Sequence, residues 1–521
     1  MLLSFALLSL MATGSTEDVA SKAITDEAIL GHVRFLASDA LGGRGPTTEG
    51  DRLTQAYIAT QFESLGLKPV LPDGQWIQAF DLTAVAGHPT QLTVKAADRS
   101  VVLQYPHEFV ASSGHVEPLS TLVDADVVFV GYGIVAPEFQ WDDFKATDVR
   151  GKVIVVLNGD PDEDPTVFAG KERTWDGRWD AKFEQARKRG ASGCFIVHTK
   201  AAAEYSWKVI ETSWAREQFS LPVASPHALQ VKGWLTEDAA QRIVTASGQD
   251  FEVLRASAER RDFVPVGLRS TISSSFQNQV RYKRTGNVLG MIVGRDSTRR
   301  KEAVIFSAHH DHLGMVLNAR EGEDAVFNGA VDNASGVAAL LALARAFTSL
   351  DNAPKRTVVF AAFAAEESGL LGSEYFLNQS PMPIDRMALN INIDGLNIWG
   401  RTRDVAITGY GRSSVDAYVQ KFARAQGRMA KPDASADRGL FFRSDQYNFA
   451  RRNVPVAFFS SGQNFVGRPE GWGRTQHDAW VSSQYHQVTD EVTTEWDLSG
   501  AVEDVRLYFQ VGLAVANASK M

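Results

Sequence analysis

At 521 residues the chain exceeds what one hydrophobic core usually organises, so two folding units are expected, consecutive or one inserted in the other. A formal charge of -9, a pI near 5.7 and the lack of any long basic run argue against a nucleic-acid partner, because phosphate binding needs a clustered basic surface. Cys194 is the only cysteine, which excludes an intramolecular disulfide and a thiolate metal cluster and leaves His, Asp and Glu to hold any metal.

The chain opens MLLSFALLSLMATGSTEDVA, with an apolar run from Leu2 to Met11 and small residues at Ala12 and Gly14. It reads as an export signal within residues 1–20, despite lacking Lys or Arg before the apolar run, and places the protein in the periplasm or outside the cell. No later stretch has about 18 uninterrupted apolar residues, so no membrane span is expected.

From Thr25, ITDEAILGHVRFLASDAL spaces its apolar residues as a helix behind a Thr cap. The Gly-rich GGRGPTTEG leads to a second helix, DRLTQAYIATQFESLGLKP, stopped by Gly66 and Pro69. After a polar stretch near His115 come ADVVFVGYGI, GKVIVVLNGD, KFEQARKRG and ASGCFIVHT: strand, strand, helix and strand. This looks like a unit of its own over residues 115–265, ending in RASAERRDF. It separates a first part, 24–114, from a second, 270–519. From Gly286 the pattern alternates regularly: NVLGMIVG, AVIFSAHHD, SGVAALLALARAF, TVVFAAFAAEE, MALNINIDG, VAITGYG and VPVAFFSSG. Apolar strands alternating with helices predict an α/β fold with a mixed, largely parallel sheet flanked by helices.

Ligands in such sheets bind beyond the carboxyl ends of the strands. There AVIFSA runs into His309 and Asp311, TVVFAAFAA into Glu366 and Glu367, and MALNINI into Asp394. Asp332 precedes the next helix and His486 lies in SSQYHQVTDE. Singly these residues have ordinary readings: Asp332 as a helix cap, Asp394 as turn chemistry, the glutamates as a solvated helix start, His486 as an exposed loop residue. Together they gather negative charge that needs a cation. Two divalent ions balance Asp332, Glu366, Glu367 and Asp394, and carboxylates with imidazoles and no thiolate suit zinc, with manganese or cobalt as substitutes.

The series SAHHDHLG, GAVDNASG, AAFAAEESGLLGSEYF, NINIDGL and YHQVTD resembles the co-catalytic zinc aminopeptidases of metallopeptidase family 28, from about Thr25 to Gly114 and from about Gly286 onward. The middle unit resembles a protease-associated (PA) domain, a β-rich insert. The resemblance implies the zinc exopeptidase fold and two Zn2+ per chain. His309 and Asp394 would hold one ion, Glu367 and His486 the other, with Asp332 as the bridge. It makes Glu366 the general base, Asp311 the group that orients the ligand histidine and Tyr485 a stabiliser of the tetrahedral intermediate. Peptides with a free amino terminus become the expected substrates. A carboxypeptidase or aminoacyl-glutamine-type hydrolase on the same centre is the alternative enzyme, and a binding protein that has lost catalysis is the alternative outside enzymes. Val488 stands where the family commonly has Pro, and Gln446 where a His often follows SD.

Strand alternation puts His309 and Asp311 on one face and His310 and His312 on the other, which leaves His310 and His312 as the rival pair by spacing. His477 is the rival of His486. For the substrate pocket the candidates are Phe441, Phe442, Arg443, Tyr447 and Phe459, each with core packing or ion pairing as its simpler role. The mature chain is expected to begin shortly after Gly14. Mass spectrometry of cell fractions checks this, and an intact Met1 in the cytoplasm overturns it.

Overall fold

The computed structural model describes residues 16–519 except 169, 171–172, 204, 223–227, 317 and 318. The apolar run from Leu2 to Met11 lies outside the described residues.

Two predicted helices form near the start. Thr25 Oγ1 accepts from the Ala28 amide at 3.2 Å to begin Asp26–Leu36, which buries Ile29, Val33 and Leu36 on one face. Thr48 caps Glu49–Ser64 in the same way. Between them Gly42 and Gly43 take φ of 51° and 68°; a Cβ on Gly43 would lie 2.2 Å from the Gly314 carbonyl, so only glycine lets this loop press against the segment after His309.

The main sheet runs Val456–Ala457, Met387–Asn392, Ala303–His309, Thr357–Phe363, Val266–Ile292 and Ile77–Gly87. The first four strands are mutually parallel and the last two add antiparallel. Ala303–His309 and Thr357–Phe363 are buried at every position, as unbroken apolar strands covered on both faces must be. Register decides where the functional loops emerge: His309 pairs with Phe363, and Ser307 with Asn392. The segments carrying Asp311, Glu366 with Glu367, and Asp394 therefore leave the same edge side by side. Helix Gly336–Thr348 lies under this sheet, with Phe347 against Phe306 and Phe509 at 5.4 and 4.8 Å between ring centres. Ala330–Thr348 is the one stretch among the described residues long and apolar enough to cross a membrane, and 94% of its most apolar window is buried in this core.

A second sheet begins on the same long strand. Val266–Ile292 pairs through its first half with Leu119–Phe129, beyond which Val153–Leu157, Gly193–His198 and Val231–Thr236 follow in parallel. Gln91–Ala96, Arg99–Gln104 and Phe109–Ser112 also hydrogen-bond within this second group. The passage between sheets thus falls near Gly87 and Asn278, where Val266–Ile292 changes partners, and not at the change of sequence pattern near residues 114 and 265. One short strand, Gln218–Ser220, crosses back to pair with Thr83–Val85 of the main sheet.

Arg44 locks the Gly-rich loop to the edge of the main sheet. Its buried guanidinium donates to the carbonyls of Leu36 at 2.6 Å, Asn328 at 2.5 Å, Gly329 at 2.9 Å and His310 at 3.0 Å. Arg44→Met removes the donor from all these buried acceptors and is expected to cost about 3 kcal/mol or more, read by denaturant unfolding. Arg44→Lys, with a single donor centre, should recover only part of the loss.

Candidate metal centre

His309, at the end of its strand, directs Nε2 to Asp332 Oδ1 at 3.2 Å and to Asp394 Oδ1 at 3.3 Å. His486 directs Nε2 to Asp332 Oδ2 at 3.2 Å and to Glu367 Oε2 at 3.1 Å. One carboxylate thus gives an oxygen to each imidazole. Asp332 has this freedom because it is not the helix cap: Asn333 Oδ1 accepts from the Gly336 amide at 2.9 Å and performs that task. The backbone amides of Val331 and Asp332 donate to the Asp490 carboxylate at 3.1 Å and hold the turn open.

The neighbouring residues divide as follows. His310 Nε2 lies 3.0 Å from Asp51, whose other oxygen accepts from the Thr285 hydroxyl at 2.7 Å, so His310 belongs to a separate buried network. His312 departs from the expected alternation. The strand ends at His309, and beyond it the irregular backbone turns His312 Nδ1 to within 2.7 Å of Glu367 Oε1. Asp311 carries the Glu366 amide on Oδ1 at 3.0 Å, while its backbone carbonyl, 3.2 Å from His309 Nδ1, lies closer to that ring than its carboxylate at 3.8 Å. Glu367 thus meets two imidazoles. Glu366 makes no side-chain hydrogen bond or ion pair among the described residues. Tyr485 packs on His486 with ring centres 4.0 Å apart and the planes tilted by 33°, and Arg443 reaches its hydroxyl at 3.5 Å. His477 is held by Arg438 at 3.0 Å and takes no part in the cluster.

Electrostatics mark the cluster as a cation site. Burial opposes charge on His309, yet Glu366, Asp394 and the bond to Asp332 hold its pKa well above the usual value. Burial likewise opposes charge on His486, and Glu367 and Asp332 push it up to about 9. Burial favours the neutral form of Asp332, but hydrogen bonds from His309 and His486 take its carboxyl well below the usual range. Burial raises Glu366, with Asp394 and Glu367 adding to the effect and His309 opposing it. Carboxylates that draw protons onto imidazoles are asking for positive charge, which divalent ions supply when the imidazoles are neutral. The donor set also has the right dimensions: metal–ligand bonds of about 2.0 Å in a tetrahedron separate donors by about 3.3 Å, against 3.1 to 3.3 Å between the two imidazoles and the Asp332, Glu367 and Asp394 carboxylates. His309, Asp332 and Glu367 bring ligand atoms within 4.8 Å of one another.

A cleft leads from Glu366 and Glu367 to the second-sheet lobe and is lined by Phe442, Arg443, Tyr485 and Tyr205. The other pocket candidates are placed elsewhere by packing. Phe459 is buried against Tyr508 with ring centres 4.7 Å apart, Phe441 packs on Phe442 within the core, and Tyr447 stacks on Trp175 at 4.5 Å. Sequence reasoning missed Ser213, whose hydroxyl lies 2.9 Å from His486 Nδ1, and Arg44; the GG before Arg44 was the only local signal for either.

Residues 287–510 match the model of peptidase family M28. This segment is a family M28 peptidase domain. The chain is 28% identical over 243 residues to leucine aminopeptidase 2 of Trichophyton rubrum, a match spanning 44% of this chain and 43% of that protein, less than half of either. It is 23% identical over 465 residues to aminopeptidase YwaD of Bacillus subtilis (strain 168), covering 88% of this chain and 81% of that one. The solved aminopeptidase from Aneurinibacillus sp. strain AM-1 superposes with a TM-score of 0.55 at 17% identity over 97% of both chains, so the fold is shared throughout. Each M28 motif quoted from the sequence supplies a residue to the cluster around Asp332.

His309→Ala is expected to abolish metal uptake at the side facing Asp394. His310→Ala should leave metal content unchanged while destabilising the Asp51 network. Elemental analysis of both variants checks the assignment, and the reverse pattern overturns it.

Proposed function

We propose that the protein is an exported aminopeptidase that removes amino-terminal residues from peptides using two zinc ions. The observation that carries this reading is the Asp332 carboxylate, with one oxygen turned to His309 and the other to His486. His309 with Asp394, and Glu367 with His486, would hold the ions on either side. When bound, the ions supply Lewis acidity for the scissile carbonyl and lower the pKa of water to about 7.

Glu366 and Glu367 have different work. Glu367, engaged by His312 and His486, is a ligand. Glu366 faces the cleft with a carboxylate that no side chain engages among the described residues, as a base that takes the water proton and returns it to the leaving amine requires. Tyr485 keeps its phenol proton because burial raises its pKa well above the usual value, more than the neighbouring Arg443 lowers it. With Arg443 donating to its oxygen, that proton is free for the developing oxyanion. The substrate's free amine would sit among the carboxylates at Glu366 and Asp394. The second-sheet lobe, in this reading a PA-like insert, forms the far wall of the cleft.

A carboxypeptidase or aminoacyl-glutamine-type hydrolase requires a cation for a substrate carboxylate, and Arg443 is the observation that favours it. Arg173, Arg178 and Arg438 near the cleft pair with Asp160, Asp180 and Asp478, whereas Arg443 has no carboxylate within ion-pair distance among the described residues. A panel of free and N-blocked aminoacyl substrates, assayed before and after chelation, separates the readings. Hydrolysis confined to free amines and lost on chelation is expected, and turnover of N-blocked substrates selects the second.

Glu366→Gln should retain both ions and lower kcat by about 100-fold or more. Glu367→Gln should lose metal as well as rate. Zinc retained by Glu367→Gln but lost from Glu366→Gln would reverse the two roles.

A further inference from the structure

We infer that Ser213 of the second-sheet lobe is a positioning residue for His486, so that this lobe completes the shell of one of the two metal sites. The inference deepens the two-ion reading and rests on it.

His486 turns Nε2 toward Asp332 and Glu367. A ligating Nε2 must present its lone pair, which puts the ring proton on Nδ1, where it needs an acceptor. That acceptor is the Ser213 hydroxyl at 2.9 Å, on helix Trp207–Trp214. The other imidazole is held differently, because His309 Nδ1 faces the Asp311 carbonyl at 3.2 Å within its own loop. His486 needs outside support more than His309 does. It leaves no strand, and its backbone has φ of 56°, in the left-handed region.

The segment carrying Ser213 is tied down on the main-sheet side. Gln218 Nε2 donates to the Ser213 carbonyl at 3.1 Å, and Gln218 begins the short strand paired with Thr83–Val85. Glu217 pairs with Arg281 at 2.6 Å and Lys283 at 3.0 Å. Arg216 donates to the carbonyls of Leu313 and, at 3.2 Å, Met315 on the loop that follows His309 and His312, with its guanidinium 5.2 Å from the Phe327 ring centre. Ser213 is thus delivered by a segment bonded to the peptidase body at several points, which gives its hydroxyl a defined position relative to His486.

The test is a calorimetric titration of Zn2+ into the full-length chain stripped of metal, repeated with Co2+ while its visible spectrum is followed. The wild type should take up two ions. Ser213→Ala should bind one of them about 10- to 100-fold more weakly with the other unchanged, alter the Co2+ spectrum and leave the unfolding temperature of the stripped chain unmoved. Ser213→Thr, which keeps the hydroxyl, should restore affinity. Unchanged binding of both ions by Ser213→Ala overturns the inference, as does an equal loss at both sites with a lower unfolding temperature, which marks general damage. If the wild type takes up a single ion, the two-ion reading fails on its own, and the role of Ser213 survives only if Ser213→Ala weakens that ion.

Discussion

Everything at the site depends on one carboxylate being shared. Asp332 is buried between His309 and His486 with an oxygen for each, and around it stand Glu366, Glu367 and Asp394. A protein interior does not keep so many carboxylates together without compensation. In a centre holding only protons, the compensation is charged imidazole, which is why the His309 and His486 pKa values rise. Divalent ions provide the same compensation while leaving the imidazoles neutral and able to ligate.

Holding that arrangement open falls to backbone chemistry. Asn333 caps the helix so that Asp332 need not, and Asp490 receives the amides of the turn. Arg44 contributes a positive charge without using up a donor: its guanidinium is satisfied by carbonyls, and its attraction to Asp332, Asp490, Asp311 and Glu367 acts at a distance. Desolvation lowers its pKa to about 10, still far above neutrality. An arginine paired directly with one of these carboxylates would have displaced a metal; one held by carbonyls leaves them available. Behind Asp394, Ser307, Asn390, Asn392, Ser444 and Gln446 form a buried hydrogen-bonded ladder, in which Gln446 accepts from Asn392 at 2.9 Å and donates to the Phe441 carbonyl at 2.9 Å. Gln446, where the resembled family often has His, therefore acts in the wall of the site and does not touch the ligands.

The second-sheet lobe is part of the site's architecture. Arg178 donates to the Phe442 carbonyl at 2.6 Å, Arg173 to the Asp437 carbonyl at 3.1 Å, and Trp175 stacks on Tyr447. These bonds fix the segment that carries Phe442 and Arg443 against the cleft. The continuous strand Val266–Ile292 carries both sheets, so the lobe is attached through hydrogen-bonded strand and not through a flexible linker alone.

What the sequence determined by itself is the local chemistry: apolar strands that run toward His309, Glu366 with Glu367, and Asp394; Thr25 and Thr48 at helix starts; and the order of motifs in a family M28 domain. Such features are legible because side-chain periodicity, capping and strand termini act over a few residues. Tertiary structure alone decided which histidine meets which acid after the strand ends, as His312 turning to Glu367 and His310 to Asp51 demonstrate. It also decided that, of three buried phenylalanines that look alike in sequence, Phe442 lines the cleft while Phe459 and Phe441 do not. The contact of Ser213 with His486 joins residues 273 apart, and that of Arg44 with His310 joins residues 266 apart. Nothing local encodes such pairs, because they exist only once two sheets have been laid against each other and the backbone between them has fixed where each side chain points.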